Sequence, residues 1–248
     1  MDISTLFEDK ADLYASARPL YPVELFDYIG SLLDNHDAAW DCATGNGQAA
    51  LGLAKIFTAV EATDISKEQL KNCFKAPNIK YSEQPAETTS FTDNQFDLVN
   101  VAQALHWFEY DKFWAEIKRV LKPNGVFFAH AYLWPHVNTA IDHVIQQQVK
   151  NVIEPYWAPN NRLAWNGYAE LDFPFPLIET PQFVLENHWN LEEFFNYMHT
   201  WSATRRCMED IGDHFFQQAK DAAGCLWGDP AEKRVIISPL TIIAGRAW

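Results

Sequence analysis

Over roughly its first 130 residues the chain switches repeatedly between a strand and a helix periodicity, and no other feature limits its fold as much. In YPVELFDYIGSLL the apolar residues Val23, Phe26, Ile29, Leu32 and Leu33 follow helical spacing, with Pro22 at the first turn. AAWDCA reads as a short buried strand and GQAALGLAKIF as the helix after it. AVEATD is a second strand, and Ser66 to Gln69 forms a capping box that opens KEQLKNCF. IKYS and FDLVNVA supply strands three and four, YDKFWAEIKRVL a helix, and VFFAHAYLW strand five. Before strand five, KPNG is a turn with Gly125 available for a left-handed conformation. Strands alternating with helices predict an α/β fold with a doubly wound parallel sheet, whose ligand lies beyond the carboxyl ends of the strands. Asp41, Asp64, Gln84 to Glu87 and Ala102 to Trp107 fall at those ends.

The pattern changes after strand five. Prolines crowd the segment from Pro155 to Pro181, interleaved with Trp157, Trp165, Tyr168, Phe173 and Phe175, which predicts a partly irregular cap. Order then returns: QFVLENHW reads as a strand, NLEEFFNYMHTWSATRRCMEDIG as one helix, and RVIISPLTIIAGRA as a long last strand or a bent pair. The expected organisation is a single domain over 1–248, with N-terminal lid helices (1–34), a ligand-binding core (35–134), a cap (135–190) and a closing helix and strand (191–248).

Composition narrows the function. A net charge of −14 lacks the basic footprint that phosphate neutralisation demands, so no nucleic-acid partner is expected. No apolar run is long enough to cross a bilayer, and MDISTLFEDKADLY has no signal-peptide pattern, so a soluble cytoplasmic protein is expected. Cys42, Cys73, Cys207 and Cys225 have no zinc or disulfide spacing and read as reduced thiols, with no metal expected. Oligomeric state stays open between monomer and homodimer.

Two of the ten glycines, Gly45 and Gly47, fall in AWDCATGNGQAA, where the first strand gives way to a helix. A glycine turn there lets a ligand approach the backbone closely. Asp64 ends the second strand, where a carboxylate can meet ribose hydroxyls. The spacing departs from G-x-G-x-x-G, with Ala50 at the third position, and a tight turn without a ligand remains an alternative.

Taken in order, these segments resemble class I S-adenosylmethionine-dependent methyltransferases. WDCATGNGQ is similar to their first motif, VEATDIS to the second, QPAETTSFTDNQFDLVNVAQALHWF to the acidic loop and fourth strand, and LKPNGVFFAH to the fifth strand. FEDKADLYASARPLYP, AQALHWF and LEEFFNYMHTWSATRR further resemble the branch that includes trans-aconitate methyltransferases. The resemblance implies a Rossmann-like, seven-stranded, mostly parallel sheet with an antiparallel last strand. It also implies S-adenosyl-L-methionine as cofactor, S-adenosyl-L-homocysteine as product, and a small-molecule acceptor. Asp64 would meet the ribose, with Ile65 beside it; Gly45, Gly47 and Ala43 would line the methionine part; Ala86 and Glu87 the adenine. Ala102 and Gln103 would face the sulfonium, Tyr14, Arg18 and Tyr21 would form a lid, and Asp41 would order the turn and reach the ligand's amino group. Ala43 departs from the glycine common in class I enzymes and would narrow the space beside the cofactor.

Methyl transfer to a carboxylate needs no base, only a cation to orient the acid, and Arg18, Arg162, Arg205 and Arg206 are the candidates. A hydroxyl or amine acceptor would call for a base, and His106 is best placed, with Gln103 beside the reacting centre. Tyr21, Trp107, Trp165, Tyr197 and Trp201 are candidates for the acceptor pocket. A nicotinamide-dependent oxidoreductase and a non-catalytic binding module are the rival functions.

Overall fold

The computed structural model describes residues 21–248, so Tyr14 and Arg18 lie outside the described residues. Strands β1 (Ala38–Cys42), β2 (Ala59–Asp64), β3 (Ile79–Glu83), β4 (Phe96–Ala102), β5 (Leu121–Tyr132), β6 (Val184–Trp189) and β7 (Arg234–Arg246) form one sheet in the order β3-β2-β1-β4-β5-β7-β6. β1 to β5 run parallel; β7 is antiparallel to both β5 and β6. The mostly parallel sheet with an antiparallel last strand is the expected one. Chain order reverses between β1 and β4, which makes the carboxyl ends of these two strands the place for a ligand.

A sheet covered on both faces buries alternate residues on opposite sides. Trp40, Val99, Val101 and Phe127 enter one apolar cluster, whereas Ala39, Leu98, Val126 and Phe128 enter another. The helices on these faces are α1 (Val23–Ser31), α2 (Gln48–Leu53), α3 (Lys67–Lys71) and α4 (Tyr110–Val120). After β5 come α5 (Thr139–Ile145), which continues through a π turn over Gln146–Lys150, and the short α6 (Asn161–Trp165). α7 (Leu191–His199), α8 (Ser202–Ile211) and α9 (His214–Trp227) pack with α5 around a third cluster that includes Phe194, Tyr197, Trp201 and Trp227.

Several local expectations change. The expected single helix from Asn190 onward is two helices, because Trp201 is extended (φ −66°, ψ 134°) and the Thr200 hydroxyl donates to the Tyr197 carbonyl at 2.7 Å. Breaking there turns the buried Trp201 side chain into an aromatic cluster rather than along the helix axis. α9 is not among the expected elements; it buries Phe216, Ala219, Ala223 and Trp227 against α5, the π turn and α7. RVIISPLTIIAGRA is one strand: Arg234–Pro239 pair with β6, and Leu240–Arg246 with β5. In KPNG the left-handed residue is Asn124 (φ 64°), not Gly125; a Cβ at Gly125 would lie 2.9 Å from the Lys122 carbonyl oxygen, so glycine is needed for close approach. Ser66 does cap α3, accepting from the Gln69 amide at 3.3 Å, but the full reciprocal box lies at α7, between Asn190 and Glu193.

Candidate active site

Between β1 and α2 the backbone takes three positive φ angles within five residues: Ala43 at 54°, Gly45 at 57° and Gly47 at 84°. Two carboxylates hold this turn. Asp41, wholly buried, accepts from the Thr44 hydroxyl at 2.5 Å and from Asn100 Nδ2 at 2.7 Å, tying β1 to β4. Asp64 accepts from the Gly45 amide at 2.9 Å through one oxygen and from the Ser66 amide at 2.8 Å through the other. Each oxygen keeps lone-pair capacity for another donor. The turn leaves a cavity of about 430 Å³ at the ends of β1, β2 and β4, within the range of small-molecule sites.

Ala43, Gly45, Asp64, Ile65, Ala86, Glu87, Ala102, Gln103 and Tyr21 line it together. Asp41 and Gly47 do not: Asp41 lies beneath the turn, and Gly47 faces Tyr81, whose hydroxyl would sit 2.2 Å from an added Cβ. Asp41 therefore orders the turn without forming part of the cavity wall. The loop carrying Glu87 is pinned from α4, because the Glu109 amide donates to Glu87 Oε1 at 3.1 Å. Gln103 also has a positive φ (60°), and its amide donates to the His130 carbonyl at 2.9 Å. A non-glycine residue in that conformation stores strain, which this site repays by turning Gln103 to the junction described next.

A second cavity, of about 120 Å³, adjoins the first; Gln103, Trp107 and Tyr132 line both. His106, Trp165, Tyr197, Trp201 and Arg205 line the second. Arg162 does not, being an exposed side chain 3.9 Å from Glu154, and Arg206 donates to the Tyr156 carbonyl instead. Tyr21 faces the larger cavity, packed edge-on against His130 with ring centroids 4.6 Å apart. Tyr132, Trp134 and Trp157 were missed as wall residues. The first two end or follow β5, so the rule that located Ala102 to Trp107 would have found them.

Burial pushes His106 down to about 4, so it is neutral at pH 7, and its Nδ1 is buried without a partner. Burial also raises the Cys42 thiol well above its usual range and Cys73 to about 12, so neither is a thiolate nucleophile at neutral pH. Among the described residues no group of His, Cys, Asp and Glu side chains is arranged to hold a metal, and no helix is long and apolar enough to cross a membrane.

Burial raises Asp41 from 3.8 to about 6, against the opposing hydrogen bonds from Thr44 and Asn100. The folded state therefore holds a proton that the unfolded chain has released, and stability falls as pH rises through that window. Asp41→Asn is expected to gain about 2 kcal/mol relative to the parent between about pH 4 and pH 7. Urea unfolding of both proteins across that range checks it, and a difference independent of pH contradicts it.

With this geometry in place, the relatives can be compared. A methyltransferase-domain family profile matches residues 40–129, the span from β1 through β5. A Dictyostelium discoideum protein named as a methyltransferase is 31% identical over 206 residues, covering 80% of this chain and 78% of that protein. The chain belongs to the methyltransferase family. A solved structure from Anaeromyxobacter dehalogenans, assigned as a type II methyltransferase, superposes with a TM-score of 0.87 at 35% identity over 92% of this methyltransferase and 97% of that chain. The fold extends further, to geranyl diphosphate C-methyltransferase from Streptomyces coelicolor A3(2) solved with Mg²⁺, geranyl diphosphate and S-adenosyl-L-homocysteine, at a TM-score of 0.51 and 11% identity over 100% and 97% of the two chains.

Proposed function

We propose that this methyltransferase uses S-adenosyl-L-methionine and methylates a small carboxylic acid. The observation that carries the reading is a division of charge between the two joined cavities. Asp64, Glu87 and Glu109 line the larger one with no Lys, Arg or His among its described lining residues. Arg205 lines the smaller one with no Asp or Glu among its described lining residues. A wall with only acidic charge suits a sulfonium cation bearing an ammonium group and repels the two phosphates of a nicotinamide dinucleotide. The fold neighbour that was solved with S-adenosyl-L-homocysteine supports the same choice.

In this assignment Asp64 accepts from the ribose hydroxyls, while Ile65 and Ala86 give apolar surface to the adenine and Glu87 borders it. Gly45 and Ala43 let the methionine part lie against the turn, and Ala102 and Gln103 border the sulfonium. When bound, the cofactor supplies an electrophilic methyl group whose sulfur leaves as a neutral thioether. The protein's own work is alignment: Gln103, Trp107 and Tyr132, shared by both cavities, mark where the nucleophile must be held. A carboxylate is already anionic at neutral pH, so Arg205 orients it and no base is required. The likeness of both chain ends to the trans-aconitate branch favours the same acceptor group.

His106, buried beside the second cavity with its Nδ1 unpartnered, favours a second reading, a hydroxyl or amine acceptor with His106 as base. A pKa near 4 makes it a weak base for that task. Methyl transfer from labelled cofactor to a panel of acids, alcohols and amines separates the two. Alkali-labile, volatile label on an acid is the expected result; base-stable label moves the assignment to His106. Bound cofactor product without transfer to any member of the panel leaves an acceptor outside the panel or a binding module.

A further inference from the structure

The smaller cavity restricts its occupant in both size and charge; this inference rests on the cofactor filling the larger one. Its volume, about 120 Å³, is close to the ~150 Å³ of a protein cavity known to hold one benzene, so a single ring fills it and a carboxyl group has room only toward the opening shared with the larger cavity. Its indole walls are wedged against one another: Trp165 lies 5.1 Å from Trp134 and 5.4 Å from Trp157 between ring centroids, and Trp201 lies 5.3 Å from Trp134. Each ring is held by contact with at least one other, and Trp201 is buried, so these packed indoles set the size of the space. The polar atoms on these walls point to an anion. Trp157 Nε1 and Gln103 Nε2 are buried donors with no partner, and the Arg205 guanidinium has five N–H groups, enough to serve an anion alongside its other contacts. Lys150 adds positive potential from behind, its ammonium 4.7 Å from the Trp134 ring centre.

We propose that the acceptor is a monocarboxylic acid with a flat body no larger than one six-membered ring, and that Trp165 and Trp157 set this limit. Indole faces stack on such a ring, while one guanidinium matches one carboxylate. A second or third carboxylate would be desolvated against indole without a counter-charge. A bicyclic body would overlap the packed tryptophans, and a cation would face Arg205.

Calorimetric titration of the protein saturated with S-adenosyl-L-homocysteine tests this with benzoate, 2-naphthoate, trans-aconitate and benzylamine. Benzoate is expected to bind about ten-fold or more tightly than each of the others. Trp165→Ala, or Trp165→Leu if the alanine variant does not fold, should reverse the order of benzoate and 2-naphthoate. Arg205→Gln should weaken benzoate by about ten-fold or more. Absence of benzoate binding, or equal binding by the bicyclic, the triacid or the amine, overturns the proposal. A thermal shift with S-adenosyl-L-homocysteine in the same samples separates the failures: its loss defeats the cofactor assignment, and its presence without benzoate binding defeats the acceptor assignment alone.

Discussion

Asp64→Ala is expected to weaken S-adenosyl-L-homocysteine binding by at least about a hundred-fold. On the proposed cofactor assignment two charge-assisted hydrogen bonds to ribose hydroxyls are at stake, each worth about 1.5–3 kcal/mol, and loss of both is about 3–6 kcal/mol. The side chain also holds the local backbone. Its oxygens already take the Gly45 and Ser66 amides, so the substitution also frees the glycine turn at one end and the start of α3 at the other. Stability without ligand should therefore drop by about 1–3 kcal/mol, the cost of leaving those amides unpaired. Asp64→Asn separates the two roles, since it keeps the side-chain volume and one carbonyl acceptor while removing the charge. It keeps one of the two amide bonds, so it should lose less stability than Asp64→Ala and still lose most of the binding. Thermal shift with and without S-adenosyl-L-homocysteine reads both quantities, because ligand at 100 times its dissociation constant adds about 2.7 kcal/mol. An unchanged shift in both variants would remove Asp64 from the site.

The parts of this molecule that could be read in the sequence are those governed by short-range physics. β1 through β5 and the helices between them announce themselves because buried parallel strands are short apolar runs and their flanking helices carry apolar stripes. The place of the larger cavity follows from that order, where the strand sequence reverses, and so Asp64, Glu87 and Ala102 to Gln103 could be named together; the glycine turn added Gly45, and the resemblance Ala43. The second cavity could be read only in part. Its walls come from the residues after β4 and β5, from α6 and from the break between α7 and α8, and no spacing rule joins segments so far apart. Trp201 is the clearest case: helical periodicity runs through it, and only packing against Trp134 and Tyr197 shows why the helix stops there. Arg162 and Arg205 look alike in sequence, yet one is a surface charge and the other borders the smaller cavity. Asp41 differs again: it is bound by the Thr44 and Asn100 side chains beneath the turn and does not line the larger cavity.

Gly47→Ala is expected to destabilise the protein by about 3–5 kcal/mol, far more than the same change at Gly45. Both positions are left-handed, which costs a side chain about 1–2 kcal/mol. They differ in what a Cβ meets. At Gly45 the nearest atom is Gln69 Oε1 at 4.0 Å, so backbone strain is nearly the whole effect. At Gly47 the Cβ would lie 2.2 Å from the Tyr81 hydroxyl, which donates to the Phe74 carbonyl at 2.7 Å. The ring must move, at about 1–3 kcal/mol for overpacking, and its hydrogen bond goes with it. Ala43→Gly completes the series in the other direction. Relief of the left-handed alanine is offset by the greater freedom of glycine in the unfolded chain, so stability should change by less than about 1 kcal/mol. The Ala43 methyl is thus kept for the wall it forms, where it packs against the core under the larger cavity. Urea unfolding of the three variants gives the order directly, with Gly47→Ala the least stable, Gly45→Ala next and Ala43→Gly close to the parent. Equal losses at Gly45 and Gly47 would mean that Tyr81 yields freely and that backbone strain alone fixes the turn.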